Sequence, residues 1–575
     1  MQNLNVIYSR TKGLRRYYLG TIIFVCIETF FEILIPFLMA DIIDIGIRDR
    51  DISVFYSRGI GMLICAALSL LFGFLYSRCA AKASAMTAAR IREMEFERIQ
   101  SFSFSNIDDF ETSGLITRLT GDITVLQNTI TNGIRPISRG PIMLILGILM
   151  CLVINWKLSL VLFAAGPVLA LVLAWIVSKV APRYPLMQKT VDLLNGAIQE
   201  NLIAIRLIKA FVREDVQKEK FDQINRQLSD VTAETFRYAQ LNLPAFQLSM
   251  YSCIVIIMVL GVQMMLESQI QVGELTGILS YVLQIMNSFV MMSNVFLLLT
   301  RSMASINRIA EVFLEKNDMP AAEEAAEISD GSVEFRNVSF RYSQNARKNV
   351  LQDISFRIPS GSTVGILGAT GSAKSSLVSL IPRLYDASEG EVLVGNVNVK
   401  DADLRKLRDD VAMVLQKNEL FTGTIEDNLR WGNPDATREE IDEACRIACV
   451  DELLEKMPDG LNTMLSQGGN TVSGGQKQRI CIARALLKKP KILIFDDSTS
   501  AVDTATEASI RRGLASIEGL TQIIIAQRIS SVCDCDQIII LDDGKISDTG
   551  THEQLLQRSE IYQDICRIQE RGNES

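Results

Sequence analysis

Six apolar runs, each close to twenty residues and almost free of charge, fall at roughly 19–40, 57–77, 137–155, 158–180, 246–266 and 275–299. A helix needs about 20 mostly apolar residues to cross a bilayer, and in hydrocarbon its backbone polar groups must be satisfied within the segment. The first half of the chain is therefore expected to be a bundle of six membrane helices. An even number of crossings leaves both ends on one side. Arg10, Lys12, Arg15 and Arg16 precede the first run, and Lys82, Arg90, Arg92 and Arg98 follow the second, whereas the loop from Glu267 to Glu274 carries no Lys or Arg. The positive-inside bias then places both termini in the cytoplasm of a multi-pass protein of the cell membrane, inner or plasma. No small-residue cleavage site is evident at the first run, which is read as a retained span.

The 575 residues are too many for one core, and the apolar share is concentrated before residue 300. From Ser332 onward Gly and charge return. Short β-branched runs, VEFRNVSF, TVGIL, EVLVG, KILIF and QIIIA, alternate there with helical segments such as REEIDEACRIACV. That alternation predicts an α/β domain after the α-helical membrane domain. The division is a membrane domain over 1–315, a polar Ala- and Glu-rich linker over 316–331 and a soluble domain over 332–575. Long polar stretches separate the second run from the third and the fourth from the fifth. Patterns such as ENLIAIRLIKAFVREDVQKEKF read as long helical extensions of the spans into the cytosol. A net charge of −8 without a basic footprint argues against a nucleic-acid partner. The eleven scattered Cys contain no CxxC pair and are expected as reduced, buried thiols. Cys445 with Cys449, and Cys533 with Cys535, lack the second pair or nearby His that a zinc shell needs.

The strand STVGIL leads into GATGSAKSS, residues 368–376, and then into the apolar helix LVSLI. Strand, loop and helix in that order make a P-loop. The backbone of Gly368, Thr370, Gly371, Ser372, Ala373 and Ser376 would cradle phosphates, Lys374 would reach the β and γ oxygens, and Ser375 would hold magnesium. The pattern asks for Gly before the lysine. Ala373 stands there instead, and its Cβ crowds the phosphate or strains the turn if the position needs a positive φ. Asp496 ends the strand KILIF, where a carboxylate meets magnesium through water.

Further motifs accompany these: Gln416 in MVLQKNELF, VSGGQKQR over 472–479, ILIFDD over 492–497, SAVD over 500–503 and Gln527 in IIIAQR. In content, order and spacing the set resembles an ATP-binding-cassette domain, and VSGGQ is specific to that family. With six preceding spans, the whole sequence looks like one half of an ABC exporter, an ATP hydrolase coupled to transport. FSFSNIDDFETSGLITRLTGD and IRLIKAFVRED resemble the two cytoplasmic loops of such exporters. The resemblance implies that ATP and Mg2+ lie between the P-loop of one cassette and the SGGQ of another. It further implies that Tyr342 stacks on adenine, Gln416 senses magnesium and Asp503 joins the catalytic set. Ser473, Gly474, Gly475 and Gln476 would grip the nucleotide of the facing chain.

Active members of the family carry Glu after the magnesium aspartate and His in the later loop, where this chain has Asp497 and Gln527. Asp is one methylene shorter, and withdrawing a carboxylate by roughly an ångström can cost on the order of 10²-fold in rate. Gln can donate a hydrogen bond but cannot gain charge as His can. Three departures thus fall in one site while VSGGQ is intact. The chain resembles the degenerate-site subunit of heterodimeric bacterial multidrug exporters. The expected partner is a second, different ABC half-transporter, whose working site this signature completes. Neutral drift in a slow enzyme is the alternative account of the departures.

On the sixth run Gln284, Asn287, Ser288, Met291 and Asn294 recur at helical spacing and are expected to share a face, lining a cavity or a helix contact. Glu28 and Glu32 lie one turn apart in the first run, either to attract a cation or as a satisfied pair in the bundle. The cargo expected is an amphipathic small molecule, drug or lipid. A nucleotide-gated, channel-like ABC protein without uphill transport is the competing reading. The single histidine, His552, follows Thr551 in a capping-box spacing with Gln554, which predicts a place in a first helical turn and no chemistry.

Overall fold

The computed structural model describes residues 7, 9–316, 319, 326–343, 346, 348–497 and 503–573, without the side chains of a few of them, Asn294 included. The chain forms two units, residues 1–100 with 112–314 and residues 101–111 with 315–575.

Among the described residues of the first unit, six segments are long and apolar enough to cross a membrane: Arg15–Ile47, Ile52–Gln100, Thr112–Ile154, Trp156–Ile203, Glu214–Leu266 and Val272–Met292. The helix Ile52–Gln100 alone has 49 residues, roughly 74 Å at 1.5 Å per residue and more than twice the thickness of a hydrocarbon core. The extension after the fourth run is not one continuous helix. It divides into Arg183–Ile203, Ile205–Ala210 and Glu214–Ala239. Val212 takes a φ of +51°, which no right-handed helix can carry on through, and the chain reverses there. The two long legs return side by side, joined by Arg183 with Glu234 at 2.8 Å and Lys220 with Glu200 at 2.8 Å.

Small residues let the spans approach. A Cβ on Gly140 would lie 2.8 Å from Met292 Cγ, and one on Gly147 would lie 2.9 Å from Ile285 Cγ1, so the third and sixth spans meet along a glycine-lined seam. Buried polar groups tie the first span to its neighbours. Tyr281, fully buried, donates to the Ile33 carbonyl at 2.7 Å. Glu28 accepts from Arg135, and Glu32 accepts from Arg139 at 2.6 Å. The rungs ascend together, 28 with 135 and 32 with 139, as they must between the first and third spans of an alternating bundle, which run in the same direction. At the far end of the first span the Asp44 carboxylate accepts from the backbone N–H of Gly273 at 2.6 Å and of Glu274 at 2.9 Å, capping the sixth span.

The second unit is α/β. An antiparallel sheet joins β1 (Val333–Phe340), β2 (Leu351–Ile358), β4 (Glu389–Val394) and β5 (Val397–Asn398) in the order β2-β1-β4-β5. A six-stranded sheet joins β3 (Thr363–Leu367), β6 (Val411–Val414), β9 (Ile492–Asp496), β10 (Thr521–Ala526), β11 (Gln537–Asp542) and β12 (Lys545–Gly550) in the order β12-β11-β3-β10-β9-β6. The short strands β7 (Gly423–Thr424) and β8 (Met464–Leu465) pair with each other. Only β12 runs antiparallel within the six. The central strands are covered on both faces, which is why they read as unbroken apolar runs. Ile492, Ile494, Ile523 and Ile525 enter one core with β1 and β4, while Leu493, Phe495, Ile524 and Ala526 enter another with the helix Gly474–Leu486.

Breaking a Glu–Arg rung leaves a charge without its partner beside a buried span. Replacing Glu28 by Ala is expected to destabilise the membrane unit by about 3 kcal/mol, at the low end for a buried pair because Arg135 stays partly exposed. The charge-swapped double change, Glu28→Arg with Arg135→Glu, should recover most of that loss in thermal unfolding of the purified protein. No recovery would mean that the pairing is not what the single change removes.

Candidate functional site

Strand register gathers the loops. In the parallel sheet Ala526 lies opposite Leu367, Ile525 opposite Asp496 and Phe495 opposite Val414. Four strands therefore end within about a residue of one another, and four loops leave the same carboxyl edge, where α/β sheets bind ligands. They carry Gly368–Ala373, Gln527, Asp497 and Gln416. Gln416 itself is exposed, two residues beyond β6.

The loop after β3 turns tightly. At Gly368 a Cβ would fall 2.3 Å from the Leu541 carbonyl oxygen, so only glycine fits. Gly371 and Ala373 both take positive φ, +88° and +73°. For Ala373 this left-handed conformation costs about 1–2 kcal/mol relative to a right-handed one, a penalty that glycine would escape. The next residues, Lys374–Ser379, turn into a short helix. Lys374 is 8% exposed and folds back over its own loop, its Nζ donating to the carbonyls of Gly368 at 2.8 Å and Ala369 at 2.9 Å. Burial lowers its pKa, against the opposing pull of Asp497 and Asp496.

Ser375 Oγ donates to Asp496 Oδ1 at 2.7 Å. Asp496 is 5% exposed, and burial pushes its pKa up against the lowering effect of the Ser375 hydroxyl. A hydroxyl and a carboxylate brought together beside a buried lysine are hard oxygen donors of the kind magnesium takes alongside nucleotide phosphates. The residues present fit a magnesium nucleotide.

Asp497 follows at a φ of +47°, with its backbone N–H donating to the Ile525 carbonyl at 3.2 Å. Its Oδ2 accepts from Gln527 Nε2 at 2.7 Å. Two of the three departures, Asp497 and Gln527, are thus bonded to each other.

Tyr342, just past β1, sets its hydroxyl 2.8 Å from Ser376 Oγ, and its ring meets Phe340 and Tyr385 edge-on at 4.8 and 5.1 Å. Beside it opens a cavity of about 650 Å³, bordered by Ser343, Tyr385, Asn106 and Glu315 and by no residue of the 368–376 loop. The helix Phe104–Asp109 reaches this cavity. Tyr385 donates its hydroxyl to Asp108 at 2.7 Å, and Asn106 Nδ2 donates to Glu315 at 3.2 Å and to the Lys316 carbonyl at 3.1 Å.

The signature residues head another element. Ser473 caps the helix Gly474–Leu486 in a reciprocal box with Gln476, whose Oε1 accepts from Ser473 N at 2.8 Å. Ser473 and Gly474 are exposed and Gly475 is half-buried. Asp503 caps the helix Thr504–Ala515, accepting from Thr506 N at 3.0 Å and Thr506 Oγ1 at 2.7 Å, and these bonds lower its pKa. Residues 500–502 of SAVD lie outside the described residues.

In the membrane unit, Glu28 and Glu32 stand against Arg135 and Arg139, which makes them ion-paired members of the bundle. The expected common face of the sixth span is divided. Ser288 is buried and donates back to the Gln284 carbonyl at 2.9 Å, Asn287 is exposed and Met291 is half-buried. Among the described residues Gln284 Oε1 is buried without a hydrogen-bond partner, and the side chain of Asn294 lies outside them. Sequence reasoning missed Arg135 and Arg139. Their four-residue spacing, matching that of Glu28 and Glu32, was the available signal.

The chain matches two family models, the ABC transporter transmembrane region over residues 18–289 and ABC transporter over residues 351–500. It is 38% identical to the uncharacterized ABC transporter ATP-binding protein YfiB of Bacillus subtilis (strain 168) over 95% of each chain. It is 31% identical to the ATP-dependent lipid A-core flippase of Haemophilus influenzae (strain 86-028NP), over 80% of this chain and 79% of that one. Its fold matches the structure of a bacterial Atm1-family ABC exporter with ATP bound, with a TM-score of 0.82 over 97% of this chain and 98% of that one, at 24% identity. The chain belongs to the ABC transporter family, as a membrane-embedded half-transporter whose six-span unit and ABC ATPase domain are one polypeptide.

Proposed function

We propose that this chain is one subunit of a heterodimeric ABC exporter for amphipathic small molecules, drugs or lipids, and that its own nucleotide site retains ATP while its signature serves a different partner chain. The observation that carries the reading is the Asp497–Gln527 hydrogen bond. Asp497 is a methylene short of the usual glutamate, starts from a left-handed backbone and has one carboxylate oxygen engaged by an amide. It is a poor acceptor for a proton from water, and Gln527, the residue set to meet the γ-phosphate, cannot become a cation.

Apart from Ala373, the groups that would hold the nucleotide are present. Lys374 rests on two neutral carbonyls, bonds that a phosphate can displace. Ser375 and Asp496 would hold magnesium, which when bound supplies positive charge to the phosphates. Tyr342 stands beside the loop, its hydroxyl 2.8 Å from Ser376 Oγ. Ser473 and Gly474 stand exposed at the positive end of a 13-residue helix, free of the departures that affect the other loops. The likeness to a lipid flippase supports a lipid or amphipathic cargo. The basic residues flanking the first two spans support cytoplasmic termini. On this reading the membrane domain covers 1–315, a linker covers 316–331 and the cassette covers 332–575.

Produced alone, the chain should hydrolyse ATP on the order of 10²-fold more slowly than when co-produced with a neighbouring half-transporter. Equal rates would overturn the heterodimer. In the pair, Asp497→Asn should leave turnover near that of the unchanged protein, and Ser473→Ala should remove most of it. The reverse pattern would refute the division of labour. Ala373→Gly should relieve the left-handed strain, stabilising the cassette by about 1 kcal/mol in thermal unfolding and tightening nucleotide binding in a fluorescent-nucleotide titration. A gain in neither measurement would show that the loop tolerates the extra methyl group.

A further inference from the structure

The final helix, Glu560–Asn573, packs against the loop that carries Gln527. Gln569 Nε2 donates to the Gln527 backbone carbonyl at 2.7 Å, and its Oε1 accepts from the Ile529 backbone N–H at 2.9 Å. One side-chain amide therefore pairs with two backbone groups two residues apart, as an adjacent strand would, and fixes the backbone between them. The Gln527 side chain in turn donates to Asp497. Three hydrogen bonds connect the end of the chain to the acid beside the magnesium aspartate.

Gln569 is itself held in place. Tyr562, Cys566 and Gln569 fall at i, i+4 and i+7, on one face of the helix. Tyr562 is fully buried, and its hydroxyl lies 2.6 Å from His552 Nδ1. His552 opens the preceding helix, His552–Arg558, whose start is fixed by the Thr551–Gln554 capping box. The opposite side of the same loop is tied to the helix that Asp503 caps. Arg511 donates to the Ser530 carbonyl at 3.1 Å, and Ser531 Oγ donates to Glu507 at 3.1 Å. Of these ties, only Gln569 grips Gln527 itself.

We propose that Gln569 is a positioning residue of the nucleotide site: it sets the backbone at Gln527, and through it the direction in which the Gln527 amide meets Asp497 and the terminal phosphate. This rests on the reading of Gln527 as the group that meets the γ-phosphate. The half-buried Gln569 bonds are too few to hold the cassette together, so their loss acts on the order of the loop and leaves the fold standing. The consequence is selective. ADP, which lacks the phosphate that Gln527 would meet, should not register the loss.

The test uses the full-length chain in lipid nanodiscs with Mg2+, measuring ATP and ADP affinity by competition against a fluorescent nucleotide. Gln569→Ala is expected to lower the preference for ATP over ADP about 3- to 10-fold, the size of one lost hydrogen bond, with an unchanged melting temperature. Gln569→Glu keeps the acceptor for Ile529 N–H but loses the donor to Gln527, and should behave like Gln569→Ala. Gln527→Ala should lower the preference similarly, and the double change should be no worse than Gln527→Ala alone, as for two residues acting through one contact. An unaltered preference in Gln569→Ala, or losses that multiply in the double change, would overturn the proposal. A preference that Gln527→Ala leaves untouched would instead sink the reading of Gln527 on which it rests. Brisk hydrolysis by the unchanged chain in the same preparation would overturn ATP retention, while the coupling between positions 527 and 569 would still be decided by the double change.

Discussion

The parallel pairing of β3, β10, β9 and β6 governs where every chemical group of the cassette can stand. Side chains alternate across a strand, so a slip of one residue in β9 would turn Asp496 away from Ser375 and drive Ile494 out of its core. Burial on both faces makes that slip costly, since each strand sends apolar residues into two separate cores. Chemistry at the edge is thus aligned by packing beneath it. The same alignment brings Asp497 to within one residue of Gln527 along the sheet edge, within reach of its side chain.

A different constraint orders the membrane unit. Hydrocarbon gives no reward for bringing apolar helices together, so close approach at glycine and a small number of polar ties must do it. Arg139 lies near both acids, 2.6 Å from Glu32 and 3.9 Å from Glu28, while the Arg135 guanidinium also covers the Tyr76 ring at 5.6 Å. The two rungs form one neutral cluster of two acids and two bases. A cluster of that kind fixes the rotation of two helices about their axes, which apolar packing alone specifies weakly.

Much of this was legible in the sequence because it is local. Six apolar runs, the change to β-branched strands near Ser332, the order of strand, loop and helix around Lys374 and the Thr551–Gln554 cap all depend on residues close together in the chain. What escaped was non-local or lacked a marker. The run counted for the third span began after Arg135, which hid the partner of Glu28. The reversal at Val212 carries neither Gly nor Pro, and a β-branched residue at positive φ is rare enough that no pattern announces it. Ala373 posed a conditional question that only its φ of +73° could answer. Gln569, on a mostly polar terminal helix, looks like any solvated residue until the loop it grips is seen.

Residues 101–111 fold with the cassette although membrane helices flank them on both sides. The polypeptide consequently passes between the two units three times, after Gln100, after Glu111 and after Leu314. A cassette cut out as one uninterrupted piece would lack the short helix whose Asp108 accepts the Tyr385 hydroxyl and whose Asn106 holds Glu315. Severing the chain after residue 316 would leave residues 101–111 with the cassette and still joined to the helices on either side of them.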